Sequence, residues 1–260
     1  MTLRGATLRE RVDAAAQAGF DAIGLTLDHY RAARREGTDD AAIRGLLAER
    51  GLRIAEVETP WDWAADPADA QAAADGELLF HVLDAFDCRR FNAVQFTAHP
   101  RSSLVGAFSA MCRRAADHGV TVALEFMPFS RLPALADALD VLDAAAEPNA
   151  GVLLDVWHFH RTGGTPEELD RLPVDRVVAV QLNDAGPDTG RDPREEARHL
   201  RRLPGDGEIP LIELLTVLRR NGSRAPLSVE VWSDALEALA PATAAAHAFE
   251  ATRRVLDLVP

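Results

Sequence analysis

Thr121-Val122-Ala123-Leu124-Glu125-Phe126 reads with the period-two pattern of a strand: Val122, Leu124 and Phe126 fall on one side, Thr121, Ala123 and Glu125 on the other. The first side is large and apolar, as a surface covered by helices should be. The second is small at its start and ends in a carboxylate. The same parity recurs along the chain. Ile23, Leu25 and Leu27 alternate with Ala22, Gly24 and Thr26; Val178, Val180 and Leu182 alternate with Ala179 and Gln181; Leu227, Val229 and Val231 alternate with Ser228 and Glu230. Glu56 and Glu58 share a side, Leu153 and Asp155 share another, and Ala93, Gln95 and Thr97 are placed on the inward face of their run.

Working outward, strands are expected over 22–27, 53–58, 93–97, 121–126, 151–155, 177–182 and 227–232. Ala/Leu/Arg-rich stretches of helical period lie between them, over 7–18, 39–50, 68–86, 104–118, 132–145, 166–172, 210–221 and 241–258. Gly19, Gly51, Gly119 and Gly222 each close a helix and precede a strand. Seven strands against eight helices call for one more strand at the start, where 1–3 is only a stub, so the first strand is short or truncated. An α/β fold of strand–helix units over 260 residues predicts a single (β/α)8 TIM barrel occupying 1–260 as one domain. The longest connection, 183–210, is the candidate lid.

The composition removes several function classes. Lys+Arg number 28 against 41 Asp+Glu, a net charge of −13, and every one of those cations is Arg. With no Lys there is no Schiff-base, pyridoxal-lysine or phosphate-loop chemistry. An acidic chain without a basic face is not expected to bind nucleic acid. Cys88 and Cys112 have no metal-ligand spacing and read as inert core thiols. No apolar run has the length of a signal core or a membrane span, so a cytoplasmic protein with no membrane partner is expected.

Polar side chains at the carboxyl ends of several strands are where barrel enzymes keep their chemistry, and here Glu58, Glu125, Asp155, Gln181 and Glu230 converge. Carboxylates packed this closely repel one another and lose hydration, so a cation is needed among them, either Arg from the loops or a metal ion. Three carboxylates and an amide oxygen form a hard, all-oxygen set that favours Mn²⁺ or Mg²⁺ over zinc, with Co²⁺ as a substitute.

The chain resembles the xylose-isomerase-like superfamily of sugar and sugar phosphate isomerases and epimerases. The motifs that carry the resemblance are Ala-Leu-Glu-Phe around Glu125, Leu-Leu-Asp-Val-Trp-His from Leu153 to His158, Val-Gln-Leu-Asn-Asp from Val180 to Asp184, Pro-Gly-Asp-Gly-Glu from Pro204 to Glu208, and Ser-Val-Glu-Val from Ser228 to Val231. The resemblance implies one divalent ion, Mn²⁺ first, held by Glu125, Asp155, Gln181 and Glu230, with His158 contacting substrate. It implies Glu125 and Glu230 as the acid/base pair, with His158 steadying an oxyanion or protonating a leaving hydroxyl. Where the epimerases usually have His, this chain has Gln181, which resembles the 3-dehydroshikimate dehydratase branch.

The expected function is therefore a metal-dependent isomerase or epimerase of a sugar or related polyhydroxy ketone, acting by proton abstraction beside a polarised carbonyl. The alternatives are a hydro-lyase of the 3-dehydroshikimate or keto-inositol dehydratase type and a catalytically silent binding barrel. Further substrate contacts are expected from Glu58, Trp61, His99, Trp157 and Arg191, and Trp63, Trp232 and Arg101 are also candidates. The partner is a small polyhydroxy carbonyl compound, and a homodimer is expected by fold analogy.

Overall fold

The computed structural model describes residues 2–59 and 61–260. The chain divides into two compact units, one of residues 22–152 and one combining 1–21 with 153–260. Along the chain the elements are α1 (Leu8–Ala18), β1 (Ala22–Thr26), α2 (Leu27–Arg35), α3 (Asp40–Glu49), β2 (Arg53–Thr59), α4 (Ala70–Ala85), β3 (Arg90–Ala93), α5 (Arg101–Asp117), β4 (Thr121–Glu125) and α6 (Leu135–Ala145). They continue with β5 (Ala150–Asp155), α7 (Val156–Arg161), α8 (Pro166–Asp170), β6 (Val177–Leu182), α9 (Pro193–His199), α10 (Leu211–Arg220), β7 (Leu227–Val229), α11 (Asp234–Glu237) and α12 (Pro241–Asp257). The ladders β1-β2, β2-β3, β3-β4 and β6-β7 are all parallel, and within each unit strand order is chain order.

Registers in the unit 22–152 show the two faces directly. Leu25, Val57, Phe91 and Val122 form one row across β1 to β4, and all four are buried. Burying each such side chain contributes about 1.5–3 kcal/mol. The next row is Thr26, Glu58, Asn92 and Ala123, the polar and small set. Beneath it Gly24 pairs with Glu56, and a Cβ at Gly24 would stand 3.2 Å from the Glu56 carboxylate, which would have to shift by a few tenths of an ångström to accommodate it. Glu56 is in turn neutralised by Arg90, 2.8 Å away and equally buried.

The third strand differs from its expected position. It runs Arg90–Ala93, not 93–97, and Ala93 shares a row with Leu124 on the helix-facing side while Asn92 faces inward. Arg90 is charged, but its buried pair with Glu56 makes it an interior residue of the strand. Gln95 and Thr97 consequently lie in the following loop. Strand β7 is also shorter than expected, and Leu227 at its start is exposed. The helix-closing glycines are as read: Gly19 has φ +99° and its N–H reaches Ala15 O at 3.1 Å, and Gly51, Gly119 and Gly222 likewise sit at positive φ. Cys88 and Cys112 are buried free thiols, and burial pushes them up to about 11 and about 12.

Of the expected first strand, Met1 lies outside the described residues, and Thr2 and Leu3 form no ladder. Thr2 instead bridges the end of β7 through its hydroxyl, donating to Val229 O at 2.9 Å and accepting from Val231 N at 3.2 Å.

The connection 183–210 is tied down by one buried carboxylate. Asp184 Oδ1 accepts from Ala185 N at 2.8 Å and Ile209 N at 3.0 Å, while Oδ2 accepts from Gly205 N and Gly207 N, both at 3.0 Å. Backbone bonds between Asp184 and Arg202, 2.8 Å in each direction, close the base of the segment, and α9 occupies its middle. The Pro-Gly-Asp-Gly-Glu motif is thus the strap around Asp184. A Cβ at Gly207 would stand 2.2 Å from Ala185 O and 2.4 Å from Asp184 Oδ1, a clash with backbone that cannot yield. Gly207→Ala is expected to cost about 3 kcal/mol in urea unfolding, the upper range for forced overpacking. Gly45→Ala, in the middle of α3 with open space around it, should instead stabilise by about 0.5–1 kcal/mol. Equal stability of Gly207→Ala and wild type would show that the strap is loose.

Candidate active site

In the unit containing 153–260 the site is built around the end of β5. Asp155 closes that strand and caps α7, its Oδ1 accepting from Trp157 N at 2.8 Å and His158 N at 3.3 Å. Asn183 Nδ2 donates to the same oxygen at 3.0 Å. The other oxygen, Oδ2, accepts from Arg201 Nη1 at 2.7 Å. Arg201 also reaches Glu230, with Nη1 3.4 Å from Oε2 and from the backbone carbonyl, and its Nη2 lies 3.1 Å from His158 Nε2. All five side chains are buried.

Burial alone would raise the Asp155 carboxyl, but the charges of Arg201 and His158 and the hydrogen bonds from Asn183 and Arg201 outweigh it and hold it at about 2. Burial also dominates at His158 and, together with Arg201, takes it down to about 4 against the pull of Asp155 and Glu230. A guanidinium has only donors, so His158 Nε2 accepts from Arg201 and the imidazole proton sits on Nδ1. The neutral tautomer is thereby set by a neighbour and by burial together.

Gln181 on β6 pairs in register with Ser228 and lies two residues before Asn183, so the two amides face the same side. Its Oε1 is buried and has no hydrogen-bond partner among the described residues. A buried amide oxygen left unbonded costs about 1–3 kcal/mol, so it marks a place for a hydrogen-bond donor or a cation. Trp157 is fully buried with the guanidinium of Arg201 5.5 Å and that of Arg161 5.6 Å from its ring centre.

The unit 22–152 holds the remaining candidates. Glu125 ends β4 and is buried. Glu58 is half-buried on β2, with Asn92 Nδ2 3.5 Å from its Oε2. Beyond β2 and β3, Asp62 accepts from Gln95 Nε2 at 3.0 Å and faces His99 Nε2 at 2.9 Å, so His99 is oriented by a carboxylate. Burial raises the Asp62 carboxyl, but the hydrogen bonds from Gln95, His99 and Thr97 more than offset this, and it titrates below the usual range. Trp61 sets its ring against Gly76 of α4, where a Cβ would stand 3.0 Å from Cζ2. Trp63 is a packing residue, its indole N–H donating to Val94 O at 2.9 Å and its ring edge-on to Phe108.

Arg191 is exposed on the 183–210 segment, and Arg101 at the start of α5 pairs with Asp140 at 3.4 Å. Trp232 is half-buried under the guanidinium of Arg4, 5.2 Å from the ring centre.

Residues 12–255 match the family model described as xylose isomerase-like TIM barrel. The chain belongs to this family. Among curated proteins it is 28% identical over 266 residues to a 3-dehydroshikimate dehydratase of Pseudomonas aeruginosa, covering 97% of this chain and 40% of that protein. It is 27% identical over 139 residues to an inosose isomerase of Halalkalibacterium halodurans, covering 51% of this chain and 46% of that protein. The chain thus spans less than half the length of these curated relatives. Among solved structures, the IOLI protein with a binding zinc atom superposes with a TM-score of 0.87 at 17% identity, covering 100% of this chain and 96% of that one. The fold class is therefore the α/β TIM barrel with a short first strand.

Arg201 is the main residue of this buried cluster that the sequence did not single out. It stands in Arg-His-Leu-Arg-Arg-Leu, which reads as a solvated basic run, and only its place three residues before the Pro-Gly-Asp-Gly motif hinted otherwise. Asn183 and Asp62 were missed as well. Each orients a residue that was named, Asp155 in one case and His99 in the other. Among the described residues no helix is long and apolar enough to cross a membrane.

Proposed function

We propose that this chain is a divalent-metal-dependent enzyme that removes a proton from the carbon beside a carbonyl of a polyhydroxylated substrate, as an isomerase or epimerase. The observation that carries the reading is the buried, unbonded Oε1 of Gln181 in the unit that also holds the carboxylates of Asp155 and Glu230. An amide oxygen and carboxylates are the donors a hard ion takes, so the residues fit such a group, and Glu125, Asp155, Gln181 and Glu230 are assigned to hold it. The all-oxygen set favours Mn²⁺, with Mg²⁺ or Co²⁺ able to replace it. When bound, the ion would supply Lewis-acid polarisation of the carbonyl.

Glu125 and Glu230 would take and return the carbon-bound proton. His158, neutral and with its proton on Nδ1, suits donation of a hydrogen bond to an oxygen that gains charge better than full proton transfer. Glu58, Trp61, His99, Trp157 and Arg191 are assigned to substrate contacts, with Asp62 holding the His99 ring.

Dehydration by the same site is the second reading. It is favoured by the relatives named 3-dehydroshikimate dehydratase, which align over nearly the whole chain where the inosose isomerases align over half. One experiment separates the two. Protein stripped by a chelator and reloaded is incubated in D₂O with ketoses, inososes and 3-dehydroshikimate. Solvent deuterium in a product of unchanged composition identifies an isomerase, and loss of one water identifies a lyase. Activity should vanish on chelation and return more fully with Mn²⁺ than with Zn²⁺; activity indifferent to chelation would overturn the metal reading.

A further inference from the structure

The guanidinium of Arg201 is placed by the backbone around it. Arg201 N donates to Trp232 O at 3.1 Å, and the next residue is pinned to Asp184 by two 2.8 Å bonds at the base of the strapped segment. The side chain is 4% exposed and spends its donors on Asp155, Glu230 and His158. Two buried carboxylates with no cation would be strongly destabilising. In this structure the positive charge they need is supplied from inside the chain. Asp155 Oδ1 already accepts three hydrogen bonds, so the oxygen with capacity left for a metal is Oδ2, the one Arg201 holds.

We propose that Arg201 is the resident counter-cation of the Asp155–Glu230 pair: it neutralises the two acids whenever no divalent ion is bound, and its charge competes with that ion for the same two carboxylates. The inference rests on the metal reading above. It implies that the protein binds its ion more weakly than the ligand set alone would, in return for an ion-free state that does not collapse.

The test uses wild type, Arg201→Gln and Arg201→Lys, stripped of metal, with Mn²⁺ titrated by calorimetry and thermal melts recorded with and without it. Taking one positive charge away from the ligand carboxylates should tighten Mn²⁺ binding about tenfold or more in Arg201→Gln, because like charges at this range in a partly dry site interact strongly. The ion-free melting temperature of Arg201→Gln should fall clearly below wild type, and saturating Mn²⁺ should recover most of the difference. Arg201→Lys, which keeps the charge, should bind Mn²⁺ within about threefold of wild type.

Equal or weaker Mn²⁺ binding by Arg201→Gln would overturn the proposal while leaving the metal reading intact. If Arg201→Gln does not fold even with Mn²⁺ present, Arg201→Lys decides, and a tenfold gain in that variant would overturn the charge argument. A wild type that takes up no Mn²⁺ overturns both readings, and is told apart from the first failure by its flat titration.

Discussion

Glu125→Gln and Glu230→Gln are each expected to lower kcat by at least about 10³-fold with the fold intact, since both change a charge and barely change a shape. Glu230 follows β7 with its backbone N–H donating to Leu182 O at 3.0 Å, an anchor that the side-chain change leaves alone. The amide introduced by Glu230→Gln keeps the volume, and Arg201 keeps its stronger partner, Asp155 Oδ2 at 2.7 Å. Glu125 ends a strand whose preceding residues Val122, Ala123 and Leu124 are all fully buried, so an isosteric amide at its tip leaves the packing untouched.

The stability change should therefore stay under about 1.5 kcal/mol in urea while turnover disappears. The informative readout is exchange of the substrate's carbon-bound proton with solvent in each single variant. A variant that retains exchange but not net turnover holds the residue that acts on the second half of the reaction. Full activity in both variants would remove these glutamates from proton transfer altogether.

The polar set at the strand ends was legible in the sequence because the strands obey parity. Glu125, Asp155, Gln181 and Glu230 were placed by alternation alone, and the rows Leu25-Val57-Phe91-Val122 and Thr26-Glu58-Asn92-Ala123 bear out the logic for the first four strands. The alternation failed where charge and burial part company. Arg90 in β3 is charged yet is a buried partner of Glu56, and the strand starts three residues earlier than expected, with Asn92 in place of Ala93 on the inward face.

Arg201 failed for the same reason: a lone guanidinium is read as solvated until its acids are located in space. Helices α2 and α7 were missed for a different one. They begin at the very next residue after β1 and β5 with no Gly or Pro between, and the start signal of α7 is Asp155, the same side chain that was read as a ligand. One residue serving as helix cap and site carboxylate cannot be told from its neighbours by pattern. The Pro-Gly-Asp-Gly-Glu motif was recognised, but its physical cause, the four N–H groups converging on Asp184, is a three-dimensional fact.

That double duty makes Asp155→Ala the substitution with the largest expected effect on the molecule as a whole. The variant loses the acceptor for Trp157 N and His158 N, a capping loss worth about 1 kcal/mol. It also leaves Arg201 buried beside Glu230 alone, and breaking a buried ion pair from one side costs about 3–5 kcal/mol. Because the two losses share one side chain they will not simply add, and a total near 4 kcal/mol in urea is expected, together with loss of bound metal by elemental analysis.

Asp155→Asn separates the contributions. Its amide oxygen can still accept from the two backbone N–H groups, so the capping part is retained and what remains of the deficit is the charge pairing with Arg201. If Asp155→Asn is as stable as wild type, the pair does not hold this end of the unit together and Arg201 is placed by its backbone alone. If Asp155→Ala still takes up one divalent ion per chain, Asp155 is a structural cap that the family motif happens to share, and the ligand set must be sought among the other carboxylates.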